Sequence, residues 1–145
     1  MCGGVTYKVQ DHTQVIYFPN PYAQLPLLHK DKTIGYYSWG RREKQDGFLP
    51  ITGWARHDSI KAGKWDRYNP IPVKIVVDEF MEKNRRKESI WYKVEEGNFI
   101  QGLLAQWRDE RRVYVVTVKP DFEMLKYHDR FPRIINPEEL AWGSN

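Results

Sequence analysis

Alternation of apolar and polar side chains is the main pattern of this chain, and it predicts a protein built mostly of β-strands. Residues 5–9, VTYKV, alternate with the two-residue period of a strand that buries one face. Runs rich in β-branched and aromatic residues predict more strands, because these side chains pack well on a pleated surface. The further predicted strands are residues 15–18, 25–28, 33–40, 71–77, 89–94, 99–104 and 113–118. The run at 25–28 suggests an edge strand.

Helical patterns are few and short. Residues 121–127 predict one short helix after Pro120, and residues 137–142 predict another, with Asn136 as its N-cap and Pro137 in its first turn. The charge-rich residues 41–47 are expected to form a loop, and the charge run at 108–112 a hairpin turn with a solvated face. Without repeats or linkers, the chain is expected to be one α+β, mostly β domain over residues 1–145.

Composition narrows the class of protein more than it narrows the function. The 145 residues are 29% charged and 14% aromatic, which is typical of a soluble globular domain. We expect no membrane segment and no signal peptide, since the chain has no long apolar run. The single cysteine excludes an internal disulfide and fits a reducing, cytoplasmic setting, nucleoid-associated or encoded by a phage. We also expect a monomer.

Charge and motif content exclude several kinds of site. The formal net charge of +4 favours a polyanionic partner, but only weakly. The histidines have no metal-ligand spacing, and no glycine-rich phosphate loop is present, so no metal or cofactor is expected.

The amino terminus offers the first chemical clue. Cys2 follows the initiator Met and precedes Gly3 and Gly4, so removal of Met1 would leave an amino-terminal cysteine. Such a residue carries an amine and a thiol on adjacent carbons, and both have reactive fractions near neutral pH. An aldehyde would condense with the amine, and the thiol would then close a five-membered thiazolidine ring. The alternative is a cysteine without function in a frayed terminus.

Several short motifs stand in a definite order along the chain. It opens with Met1-Cys2-Gly3, an HDRFP segment lies at 128–132, and Thr117 lies eleven residues before His128. These motifs resemble those of the SRAP family (SOS response-associated peptidases), which processes abasic sites in DNA: the opening is similar, the segment resembles the family's "H-D-R-M-P", and a threonine precedes the histidine at the same spacing. Further resemblances, in chain order, are Pro21 and Pro26 to a proline-bearing loop, Trp39-Gly40 to "W-G-L", residues 54–59 to "N-A-R-A-E-T", residues 78–83 to "D-G-F-Y-E-W" and residues 101–105 to "A-G-L-W".

The resemblance implies a fold, a reaction and a set of site residues. The fold would be a curved, barrel-like antiparallel sheet with a few short helices. Cys2 would cross-link abasic sites in single-stranded DNA, Glu82 would transfer protons and His128 would help to open the sugar ring or reverse the adduct. The same residues would remove Met1, a self-processing peptidase activity. The residues expected at the DNA are Arg56 and Arg130 at its phosphates, Thr117, and Trp39, Pro21 and Tyr22 as an apolar wedge. Arg41 and Arg42 could extend the positive surface or belong to a solvated loop.

Two departures from the family pattern keep other readings open. Gly4 replaces a phosphate-contacting arginine, and Trp54, a possible site-lining residue, replaces the catalytic asparagine. Glu82 can alternatively be a surface carboxylate, and Trp39 a core residue. The leading hypothesis is covalent capture of abasic DNA through Cys2. The second is a single-strand-binding module without cross-linking, and the third is a thiol hydrolase using Cys2 and His128.

Overall fold

Strands account for most of the regular structure in the computed structural model, which describes residues 2–142 and, at Cys2, the backbone alone. The strands are β1 (Cys2–Val9), β2 (His12–Tyr17), β3 (Gln24–Leu28), β4 (Ile34–Ser38), β5 (Trp54–Arg56), β6 (Ile71–Ile75), β7 (Glu79–Lys83), β8 (Ser89–Lys93), β9 (Phe99–Trp107), β10 (Glu110–Val118), β11 (Phe131–Pro132) and β12 (Ile134–Ile135). The α-helices are α1 (His57–Lys61) and α2 (Phe122–Leu125), and two 3-10 turns lie at Asp66–Tyr68 and Pro137–Glu139.

These strands form two sheets. The smaller sheet is antiparallel, in the order β2-β1-β7-β8. The larger has the order β11-β10-β9-β6-β3-β4, with β12 also paired to β9 and β5 paired in parallel to β10. Neither sheet closes on itself within residues 2–142. The prediction of a mostly β single domain with a few short helices is confirmed, although the sheets are open and one strand pair is parallel.

A late segment of the chain is inserted into the larger sheet. The β9–β10 hairpin is paired as far as Gly102 and Val115, beyond which the two strands diverge. Residues 131–135 fill the gap: the Arg133 N–H donates to the Val116 carbonyl, and the Gln101 N–H donates to the Arg133 carbonyl, both at 2.8 Å. The insertion brings residues 128–130, which immediately precede it, beside the end of β10.

Apolar residues fill both faces of the larger sheet. Alternate residues of β10 point to opposite faces, so Val113 and Val115 belong to one buried cluster while Tyr114 and Val116 belong to another. The first cluster lies between the sheets and contains Val5, Leu25, Leu27, Trp39, Ile75, Phe80 and Ile100. The second lies against α1 and the loop before β5, and contains Leu49, Ala55, Ile60, Trp65, Leu103 and Ala105.

Each strand predicted from the sequence corresponds to an observed strand, but one placement was wrong. The predicted edge strand at 25–28 is β3, which lies between β6 and β4. Pro26 is tolerated there because β3 pairs with β6 only at Leu27 and Leu28. Beside that short ladder, the Pro26 carbonyl accepts a hydrogen bond from the Val76 N–H at 2.9 Å.

The predicted turns and caps are also observed, with one exception on solvation. Asp121 accepts a hydrogen bond from the Met124 N–H at the start of α2, and Asn136 forms a capping box with Glu139. The charge run forms the β9–β10 turn and the start of β10, but two of its side chains, Glu110 and Arg112, are largely shielded from solvent. Glu110 and Arg112 pair at 2.7 Å, with 15% and 12% of their side chains exposed. No helix in the described residues is long and apolar enough to cross a bilayer.

Candidate functional site

Strand pairing places the backbone of Cys2 directly across from Glu82. In the β1–β7 ladder Cys2 pairs with Glu82 and Gly4 pairs with Met81, so the register shifts between residues 2 and 4 at a β-bulge. Bulges re-aim the chain locally and are frequent beside active sites. Met1 lies outside the described residues, as does the Cys2 side chain, so removal of Met1 stays a prediction.

The Glu82 carboxyl is buried rather than on the surface. Its side chain has no exposed area. Burial disfavours the charged form and raises the pKa of Glu82 from the ordinary value of 4.5 to about 7. A carboxyl with that pKa is present in both its acid and its base form at neutral pH, as a group must be that both accepts and donates protons.

His128 is held in one tautomer by two hydrogen bonds. The buried imidazole has its Nδ1 3.1 Å from the Lys83 carbonyl and its Nε2 2.8 Å from the Tyr92 hydroxyl. Because a carbonyl only accepts, Nδ1 carries the proton, and in the neutral ring Nε2 accepts from Tyr92. Lys83 directly follows Glu82 in β7, so the imidazole lies beside the strand that carries the buried carboxyl.

Aromatic rings lie around the polar side chains of Glu82 and His128. Tyr92 stacks on Phe80 with ring centroids 5.5 Å apart, and Phe131 lies 5.4 Å from the His128 ring. Burial, and secondarily the nearby charge of Glu82, raises the pKa of Tyr92. Glu82, Tyr92 and His128 therefore share one apolar environment, in which charges interact strongly. Tyr92 was missed from the sequence, because nothing distinguishes it from other strand aromatics.

An open, positively charged cavity of about 590 Å³ lies next to these residues and is called here the cationic cavity. Four basic side chains and one carboxylate, that of Asp129, line it. Its lining residues are Thr52, Trp54, Arg56, Lys83, Asn84, Arg85, Thr117, Tyr127, His128, Asp129 and Arg130. The structure thus brings together five residues singled out from the sequence: Trp54, Arg56, Thr117, His128 and Arg130.

Pairing between β5 and β10 sets two arginines side by side in the cationic cavity. Arg56 is the parallel partner of Thr117, whose carbonyl accepts from the Arg130 guanidinium at 2.8 Å. Asp58 contacts both guanidinium groups, Arg56 at 3.1 Å and Arg130 at 3.6 Å. Burial, and secondarily the charge of Arg56, lowers the pKa of Arg130. The buried Arg130 Nε has no hydrogen-bond partner among the described residues.

A second cavity, of about 480 Å³, adjoins the first and is largely apolar; it is called here the apolar cavity. It shares Trp54 and Lys83 with the cationic cavity. Its lining residues are Gly3, Tyr17, Phe18, Pro19, Trp54, Met81, Lys83 and Ser89. Since Gly3 lines it, the segment that follows Cys2 runs along this cavity.

The expected aromatic wedge is not formed by Trp39, which corrects the sequence-based assignment. Trp39 has no exposed area, and its Nε1–H donates to the Gly53 carbonyl at 3.0 Å, so its ring packs in the core and cannot stack on a base. Pro21 and Tyr22 are exposed but line neither cavity. The aromatic rings that line the apolar cavity instead are those of Tyr17, Phe18 and Trp54.

The positive surface expected from Arg41 and Arg42 is also corrected. Arg41 donates to the carbonyls of Gln45 and Leu49, both at 2.9 Å. Arg42 donates to the Phe18 carbonyl at 2.7 Å and to the Trp39 carbonyl at 2.6 Å. These guanidinium groups hold the loop after β4 to the rest of the fold, and neither lines a cavity. Lys83 and Arg85, which line the cationic cavity, were not expected there.

The site as a whole combines the backbone of Cys2, a buried carboxyl and a hydrogen-bonded histidine with a cationic and an apolar cavity. The two cavities together suit an anionic ligand that carries an apolar ring. No protein-family model matches this chain, and no curated protein matches it in sequence.

Proposed function

We propose that this protein binds single-stranded DNA and captures the aldehyde of an abasic site through Cys2, as the SRAP family does. The observation that carries the proposal is the pairing of Cys2 with the buried Glu82 beside a cavity lined by Arg56 and Arg130. An abasic site in DNA offers both features that the site would recognise, an aldehyde and flanking phosphates.

The reaction needs two proton transfers that one carboxyl can perform. The Cys2 amine attacks the sugar aldehyde carbon, and Glu82 takes a proton from the nitrogen and passes it to the oxygen, which becomes the carbinolamine hydroxyl. A second nitrogen proton then passes through Glu82 to that hydroxyl, which leaves as water, and an imine remains. The Cys2 thiol adds to the imine carbon, its proton passes to the nitrogen and the thiazolidine ring closes. The net change is aldehyde plus aminothiol to thiazolidine plus one water.

His128 and Tyr92 act together in this proposal. The Tyr92 hydroxyl occupies Nε2 and the Lys83 carbonyl occupies Nδ1. Protonation of His128 therefore requires the Tyr92 hydroxyl to turn from donor to acceptor. Through this change of partner the pair can take up or release a proton while the sugar ring opens, without moving the imidazole.

The DNA backbone would lie in the cationic cavity. Arg56 has 60% of its side chain exposed, so its guanidinium is accessible to a phosphate. Affinity falls as salt concentration rises, and replacing Arg56 by alanine is expected to make this fall shallower. The slope of log affinity against log salt concentration should decrease in magnitude by about 0.7, the value for one lost phosphate contact on a single strand. Fluorescence anisotropy of a labelled intact oligonucleotide between low and physiological salt measures the slope. Arg111→Ala, at an exposed arginine that lines neither cavity, is the control and should leave the slope unchanged.

The deciding experiment mixes the protein with a single-stranded oligonucleotide that carries one abasic site and separates the products on a denaturing gel. A shifted band is expected for the wild type and none for Cys2→Ala. Intact-mass measurement of the free protein shows whether Met1 has been removed before the reaction. If Cys2→Ala still cross-links, the mechanism is wrong. If the processed wild type forms no adduct but binds intact single strands, the protein is a binding module, an outcome that Trp54 in the cationic cavity would explain.

A further inference from the structure

We infer that the apolar cavity receives the unpaired nucleobase next to the abasic sugar. This inference deepens the proposed function and rests on it. The cavity is bounded by Tyr17, Phe18 and Pro19 at the end of β2, by Trp54 of β5 and by Met81 of β7. Its volume of about 480 Å³ falls in the range of about 300–1,000 Å³ found for small-molecule sites.

The walls of the apolar cavity are aromatic rings held in place by their neighbours. Phe18 and Trp54 lie 4.8 Å apart between centroids, and the Arg42 guanidinium lies 4.1 Å from the centroid of Phe18. Tyr17 packs edge-on against Trp91 at 6.3 Å. Rings fixed in this way lose little conformational freedom when a ligand stacks on them. Every base has a π-face, so such a pocket would accept a base of any sequence.

The positive charge of the adjoining cationic cavity favours a nucleotide over an uncharged apolar ligand. Trp54 and Lys83 line both cavities, so a ligand in the apolar cavity lies one side chain away from Arg56 and Arg130. Proteins that bind single strands combine this pair of features, a positive groove for the backbone and aromatic faces for the bases. An apolar peptide side chain would gain nothing from the four basic residues of the cationic cavity.

One departure from the family pattern lines the apolar cavity, and the other lies against a residue that lines it. Trp54, in place of asparagine, is one of its walls. At Gly4, in place of arginine, an added Cβ would lie 3.0 Å from Cδ1 of Tyr17, so any side chain there would crowd the Tyr17 ring. The two replacements together provide one aromatic wall and the space for another. This chain therefore uses for a base the positions at which the family pattern has a phosphate contact and a catalytic amide.

A binding experiment without covalent chemistry tests the pocket. The probes are single-stranded oligonucleotides in which a tetrahydrofuran residue, which has no aldehyde, replaces the abasic sugar. One probe keeps both flanking bases, and two others replace the 5′ or the 3′ neighbour by a second tetrahydrofuran. For the wild type, loss of one of the two neighbours is expected to weaken binding about 5- to 150-fold, the equivalent of one stacked base. Trp54→Ala should weaken binding of the complete probe to a similar extent, and loss of that neighbour should then have no further effect.

Control variants separate the pocket from the stability of the fold. Trp107→Ala removes another half-buried tryptophan, one that lines neither cavity, and should keep the wild-type response to the missing base. Tyr17→Ala, at a ring with 47% of its surface exposed, removes a second wall with little effect on the core and should reduce that response. The inference is overturned if the missing base costs the same affinity in the wild type, in Trp54→Ala and in Tyr17→Ala. The two proposals can fail separately. If no cross-link forms on the gel, but the affinity lost with the missing base depends on Trp54, covalent capture is rejected and the base pocket is supported.

Discussion

The Glu82→Gln variant is expected to form the cross-link to abasic DNA about 10²- to 10⁴-fold more slowly than the wild type, the range for loss of one general acid–base group. Glutamine has nearly the same shape but neither accepts the amine proton nor returns it to the leaving hydroxyl. Single-turnover rates on denaturing gels between pH 5 and pH 9 measure the effect. In the wild type the rate should change around pH 7, since the pKa of Glu82 is raised to about 7 by burial. This inflection should be absent from the variant.

Glu82→Gln is expected to slow cross-linking but to stabilise the fold, so a slower reaction of this variant cannot be explained by unfolding. The folded protein holds a proton on Glu82 between pH 4.5, the ordinary glutamate pKa, and about 7, while the unfolded chain has released it. The free energy of unfolding of the wild type should therefore fall as pH rises through this window, and Glu82→Gln should not show this loss. Above pH 7 the variant is expected to be more stable by up to about 3 kcal/mol. Urea denaturation at pH 5 and pH 8.5 measures the difference.

The control for both measurements is Glu96→Gln, which changes an exposed carboxyl on the turn after β8. It should leave the rate and the pH dependence of unfolding unchanged. The proteins are compared only after intact-mass measurement shows the same amino terminus in each, because a retained Met1 would block the amine. If Glu82→Gln that has lost Met1 cross-links at the wild-type rate, another group performs the proton transfers.

Truncation of Trp39 to alanine is expected to lower the free energy of unfolding by about 3–5 kcal/mol, the range for loss of a large buried aromatic. The ring has no exposed area, packs edge-on against Phe18 at 5.5 Å and donates to the Gly53 carbonyl. The variant would leave a cavity between the sheets and a buried carbonyl without its donor. Urea denaturation followed by far-UV circular dichroism measures the loss.

Trp54→Ala is the informative comparison, because Trp54 is only half-buried and faces both cavities. It should lose less stability than Trp39→Ala and more affinity for single-stranded DNA. If Trp39→Ala were folded with nearly wild-type stability but failed to bind, Trp39 would contact DNA after all, and the burial described above would not represent the functional protein.

Strand positions were predictable wherever the apolar residues of a run show which of its faces are buried. Residues 113–118 are apolar on both faces, and β10 indeed lies inside the larger sheet with a buried cluster on each side. The three-residue β5 was not predicted, because the WAR segment becomes a strand only through parallel pairing with β10. The position of Pro26 inside the sheet was not predicted for a related reason. A proline indicates a missing donor, but not how far the neighbouring strand extends.

Site residues were predictable where short motifs carry chemistry and not where the chemistry depends on packing. Glu82 was identified by its motif, although its burial, which alters its pKa, comes from the pairing of β7 between β1 and β8. Arg41 and Arg42 were expected at the DNA, since a charged loop in a sequence does not show which carbonyls its guanidinium groups reach. Phe18 and Tyr92 were missed because a strand aromatic next to a cavity and one in the core have the same sequence signature.

The insertion of residues 131–135 between β9 and β10 makes this part of the candidate site prone to local unfolding. The two strands of this segment have two residues each, so they are held by far fewer ladder contacts than the strands around them. Local opening of so short a segment requires less free energy than unfolding of either sheet. His128 and Arg130 immediately precede it and would leave together, while Cys2 and Glu82 stay paired in the other sheet. The frequency of this partial detachment, rather than global stability, then determines how much of the time His128 is absent from its place against Tyr92 and the Lys83 carbonyl.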